Sequence, residues 1–121
     1  MTEQLTEEEI KAYEDRAAAL AKEYNVSQVH VCVQVTPETL ERRACYIKEP
    51  NFMTKLTVMG KMVRVDMYVA ANELREACII KEASDPITYG DSPECDPYKL
   101  GVISFCFGII DTYHNILNKK K

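Results

Sequence analysis

Val29, Val31, Val33 and Val35 alternate with His30, Cys32 and Gln34, and a period of two fits an extended strand and no helix. The stretch before it has a different period. Leu5, Ile10, Tyr13, Ala17, Leu20, Ala21 and Tyr24 recur at helical spacing and leave an acidic opposite face. Thr6-Glu7-Glu8-Glu9 reads as a capping box, with Thr6 as N-cap and Glu9 at the third helical position. Asn25 is the expected stop. A helix handing over to a strand within a few residues predicts an α+β chain.

A second extended run, Glu41 to Lys48, follows Thr36-Pro37-Glu38-Thr39-Leu40. A loop over 37–40 pairs 36 with 41, so opposed positions sum to 77 and the hairpin covers about 28–48. Val33 then faces Ala44 and Val31 faces Tyr46 on one side. Cys32 faces Cys45 on the other, and His30 lies opposite Ile47. The valine side is the expected core side, which leaves Cys32, Cys45 and Ile47 for a partner. A lone ribbon is marginal in water, so helices are expected to cover it.

Glu49-Pro50 ends the hairpin, because the residue before proline is pushed out of helix. Three helices are expected after it, over about 51–65, 66–81 and 97–117. Phe52, Leu56, Met59 and Val63 form a stripe on the first, with Met53 and Met62 beside it. Asp66 is a fair cap, which favours two helices over one bent one. Residues 82–97 are punctuated by Asp85-Pro86, Ser92-Pro93 and Asp96-Pro97, and a connection this long suggests a role. In the last helix Leu100, Ile103, Phe107 and Ile110 share a row, with Val102, Cys106, Ile109 and Tyr113 beside it. So much apolar surface marks it as the central helix. The 121 residues suit one domain, with 118–121 expected to be a disordered tail.

Composition narrows the function. Apolar residues are 46% and charged residues 28%, as in ordinary globular proteins. A net charge of -4 argues against nucleic acid, which demands a dense basic surface. The near-apolar run from Leu100 to Ile110 falls well short of the roughly 20 residues that span a bilayer, and the start does not read as a secretory leader. Five cysteines, an odd number with no Cys-x-x-Cys pair, read as reduced thiols in a cytoplasm.

No constellation of residues builds a reaction centre. Cys32 and Cys45 are a redox pair or two small apolar residues covered by a helix or a partner, and the second is the expectation. Asp85, Asp91, Glu94 and Asp96 do not have the spacing of a calcium loop. His30 reads as a polar residue of the sheet edge, and His114 as a dipole partner at a helix C-terminus. The four glycines are scattered, so no phosphate loop exists, and no nucleophile motif occurs. The expectation is no enzyme, no cofactor and no metal. Met53, Met59, Met62 and Met67 crowd one stretch with Lys55, Lys61 and Arg64. They are core filler or an adaptable partner-binding surface, since thioethers repack against varied shapes.

The order of elements carries a resemblance. A ribbon ending in Tyr46-Ile47-Lys48-Glu49-Pro50 leads into a helix with Phe52, Leu56 and Met59. Glu73-Leu74-Arg75-Glu76-Ala77-Cys78-Ile79-Ile80 follows, then an acidic Asp/Pro loop and a closing helix. Over about residues 29–117 this resembles the small tail-assembly-chaperone-like proteins of tailed bacteriophages and prophages, at Lys48, Pro50, Cys78 and Ile80. The acidic helix 6–24 departs from that pattern. The resemblance implies a cytoplasmic, non-enzymatic protein without an active site, whose partners are the tape-measure protein or tail subunits. A virion component, a host-defence antagonist or an oligomeric scaffold are the other interaction readings, and a small-ligand pocket the remaining one. The expected partner-binding residues are Cys32, Cys45, Ile47, Met53, Met59 and Met62. Self-association is expected too, because a ribbon with no proline or lysine in Val29–Val35 leaves an unblocked edge.

Overall fold

The computed structural model describes residues 5–119, and from residue 114 onward only the backbone. The chain is α+β: helix α1 (Glu7–Glu23), strands β1 (Val29–Val35) and β2 (Arg42–Lys48), then helices α2 (Phe52–Arg64), α3 (Met67–Cys78) and α4 (Asp96–Lys119). Two 3-10 turns, Pro86–Thr88 and Pro93–Cys95, lie between α3 and α4.

Local chemistry sets most boundaries. Thr6 and Glu9 form the reciprocal capping box, and Asn25 turns the chain at φ 56°. Asparagine tolerates this left-handed conformation better than most residues. Asn51 and Asp66 cap α2 and α3 by accepting from Thr54 N and Val69 N at 2.8 Å each. The segment 52–78 is therefore two helices. The closing helix reaches Lys119, past the expected end at 117, so the expected 118–121 tail is helical at 118–119 and its last two residues lie outside the described ones.

The hairpin has the expected register, with Val33 opposite Ala44, Cys32 opposite Cys45 and His30 opposite Ile47. The assignment of its faces is reversed. Cys45 and Ile47 are fully buried and Cys32 is 8% exposed, packed with Val58, Leu74, Cys78, Val102, Cys106 and Ile110 in the principal core. Val29 and Tyr46, on the other side, join Ala17 and Leu20 in a smaller core under α1. The molecule is thus layered: α1, the ribbon, then α3 and α4, with α2 packed on α3. By residue type the valine face is the more apolar of the two. What decides between them is the cover: α3 and α4 bring more apolar volume than amphipathic α1.

The helix expected over 66–81 stops at Cys78. Ile79 and Ile80 are extended and run antiparallel beside β2, with a bridge from Ile47 to Ile79. Ile80 N and Asp85 N donate to Tyr46 O (2.9 Å) and Ala44 O (2.8 Å), and Ser84 Oγ accepts from Tyr46 N at 2.9 Å. The 79–85 segment therefore closes the outer edge of β2, a role that β-branched residues suit.

Candidate protein-binding face

The apolar stripe of α2 points away from the core. Phe52 is 72% exposed, Met53 64%, Leu56 55% and Val63 79%. Val58 alone is fully buried, and Met59 and Met62 are half-buried against the core under the helix. Periodicity had located the stripe without its direction. Spaced at 52, 56 and 63, these side chains run along about three turns of one helix face. Val65, just past the helix, and Tyr68 on α3 extend the exposed apolar surface, and Tyr68 packs edge-on to Phe107 at 4.8 Å.

Charge frames this face on one side of the sign. No acid occurs within α2, and its last turn holds Lys61 and Arg64. Lys61 reaches Glu73 of α3 at 2.6 Å, and Lys55 reaches Glu49 at 2.9 Å. Arg64 is exposed and, among the described residues, forms no ion pair.

Of the six residues expected to meet a partner, Met53 lies on this face. Met59 and Met62 lie at its inner margin, and Cys32, Cys45 and Ile47 are interior. These last three are corrected from partner-binding to core residues, because helices and not a partner cover that side of the ribbon. Phe52, Leu56 and Val63, which the sequence pattern places in one stripe, make up the rest of the face. The signal was present: Val58 sits on the opposite side of the helix, so α2 carries apolar residues on more than one face.

The densest polar cluster lies elsewhere. Glu49 accepts from His30 Nε2 (2.7 Å) and Tyr113 Oη (3.1 Å), and pairs with Lys55 Nζ (2.9 Å). Burial pushes its carboxyl upward, but the hydrogen bonds from His30 and Lys55 and the charge of Lys55 outweigh that and hold it below the ordinary carboxylate value. The Tyr113 hydroxyl is pushed up, first by burial and then by Glu49. All these groups are engaged with one another, joining the ribbon to the start of α2 and to α4. Among the described residues no cluster of three or more His, Cys, Asp or Glu is placed to hold a metal ion, and no helix is long and apolar enough to cross a membrane.

All five cysteines are free and buried. Burial raises the thiols of Cys32 and Cys106 to about 12 and that of Cys78 to about 11. These are structural sulfurs and not poised nucleophiles.

The chain matches no family model, no curated protein and no solved structure.

Proposed function

We propose that the chain is a non-enzymatic protein-binding protein whose outer α2 face takes up an amphipathic, acid-flanked helix of another protein. One observation carries the reading: Phe52, Met53, Leu56 and Val63 form a contiguous helical stripe turned to solvent. Exposed apolar patches of this kind mark interaction surfaces, and helical anchors at three- and four-residue spacing are a recurrent recognition mode. The acid-free composition of α2, with Arg64 at its end, favours a partner with carboxylates beside its apolar row. Met53 supplies a pliable side chain at the margin.

The resemblance of residues 29–117 to tail-assembly chaperones supports a partner from that system, a tape-measure protein or tail subunit whose apolar helix needs cover before assembly. Five buried free thiols support a reducing compartment such as a bacterial cytoplasm.

The test uses peptides that span the apolar segments of any tape-measure and tail-tube proteins encoded beside this chain's gene, and the lack of such neighbours would itself end the tail-assembly assignment. Calorimetric titration of the full chain should find one that binds at micromolar Kd or tighter. Leu56→Glu and Val63→Glu should each weaken it by about thirtyfold or more while the far-UV spectrum stays unchanged. Absence of binding by every such peptide would end the tail-assembly assignment. Binding that both variants leave intact would remove the α2 face from it.

A further inference from the structure

We infer that two copies of the chain pair through the free edge of β1, making a four-stranded antiparallel sheet in the order β2-β1-β1-β2. This surface is separate from the α2 face.

The first ground is backbone chemistry. Thr36 N donates to Glu41 O and Glu49 N donates to Gln28 O, each at 2.9 Å. The even-numbered residues of β1 therefore form the hydrogen-bonded pairs with β2. In an antiparallel ladder the alternate residues, Val29, Val31, Val33 and Val35, then turn their N–H and C=O outward. The sheet has two strands, and among the described residues no hydrogen bond reaches those outward groups. The edge of β2 is closed by 79–85. The N-terminal half of the β1 edge, Val29 to Val31, opens instead onto a cavity of about 740 Å³ lined also by Glu14, Ala18, Lys22 and Phe105. It has no proline, lysine or bulge to block pairing.

The second ground is that this surface is complementary to itself. Pairing β1 with a two-fold copy so that Cys32 opposes Cys32 sets Val29 against Val35 and Val31 against Val33. All four outward residues of each strand are used, giving about eight new hydrogen bonds. The same axis passes close to the middle of α1. Glu9 bonds Arg42, which pairs with Val35, and Lys48 lies over the Tyr24 ring and pairs with Val29. So α1 runs antiparallel to β1, with the turn around Ala17 over Cys32 and Ala18 beside it on the exposed side. Glu14 and Lys22 are exposed and stand four residues to either side of Ala18. Across a two-fold axis there, Glu14 of each copy meets Lys22 of the other, and alanine lets the helices approach. On the opposite face of the sheet, Ser104 and Gly108 of α4 are exposed, and a Cβ at Gly108 would meet no neighbour within 4 Å. The half-buried Phe105 beside them would be covered by the second copy.

Light scattering after size exclusion at tens of micromolar, in moderate salt, should give twice the monomer mass of 13.8 kDa. In that dimer the Val31 and Val33 amides should exchange slowly with solvent, and faster as dilution dissociates it. Val33→Pro removes an outward donor without touching the hairpin's own bonds, and should give a folded monomer. Should that variant fold poorly, the charge series decides. Glu14→Lys alone and Lys22→Glu alone should each weaken dimerisation by about tenfold, and the double swap should restore it to within about threefold. A monomer at all concentrations overturns the inference. So does a dimer whose strength no charge variant alters, or one that Leu56→Glu alone dissociates.

Discussion

Ser84 Oγ accepts the backbone N–H of Tyr46 at 2.9 Å, joining residues 38 apart in sequence, and both residues are buried. This bond sits between the two main-chain bonds by which 79–85 seals β2. Ser84→Ala would leave the Tyr46 N–H without its acceptor in a site that water does not reach. The expected cost is about 1–3 kcal/mol in urea unfolding, with an unchanged slope. A loss below about 0.3 kcal/mol would show that the sealing rests on the main-chain bonds alone.

The buried thiols make stability fall at high pH. Folding raises Cys32 and Cys106 from the ordinary value near 9 to about 12, and Cys78 to about 11. Above pH 9 the unfolded chain therefore holds fewer protons than the folded one, and stability drops as pH rises. Below 9 both states hold the protons and these groups add no slope. Each thiol contributes up to about 1.4 kcal/mol per pH unit between its two values. Cys106→Ala should flatten the decline measured between pH 9 and 11, and an unaltered slope would contradict the assignment.

Glu49 acts in the opposite direction. Its folded pKa lies below the ordinary carboxylate value, so its stabilisation is present at neutral pH and is lost as pH falls through the folded value. Glu49→Gln should cost about 1–3 kcal/mol at pH 7, because His30, Lys55 and Tyr113 lose a charged acceptor. The gap between wild type and variant should narrow as pH falls below the ordinary carboxylate range and through the folded value, where the carboxylate takes up its proton. A gap independent of pH would mean that the loss is one of packing and not of charge.

The hairpin register was legible because loop length and a period of two together leave one pairing, and the structure has Cys32 opposite Cys45. The caps Thr6 and Asp66 were legible because they act within three residues of themselves, whereas Asn51, which caps α2 in the same way, was hidden behind Pro50. Direction was not legible. A period states that Phe52, Leu56 and Val63 share a face, but whether the face turns inward depends on which helices claim the core. In α2 the buried side belongs to Val58, with Met59 and Met62 half-buried beside it. Ile79 and Ile80 extend the apolar pattern of α3 by sequence. They leave the helix because β2 offers an unpaired edge that only the tertiary fold brings near.

The reversal of the ribbon faces gives a pair of variants with opposed outcomes. Cys45 is fully buried among α3 and α4 residues, so Cys45→Lys would place a charge in the principal core, whose cluster of side chains contains no acid. An unpaired buried charge is among the most destabilising changes a domain meets, and the variant should not fold at neutral pH. Val33 lies on the α1 side and is half-buried, so a lysine there can carry its ammonium past the α1 margin to water while its stem keeps part of the packing. Val33→Lys should therefore fold, at a cost of about 1–2 kcal/mol. Circular dichroism and urea unfolding of the two variants decide the matter. A folded Cys45→Lys beside an unfolded Val33→Lys would mean that the larger core lies under α1.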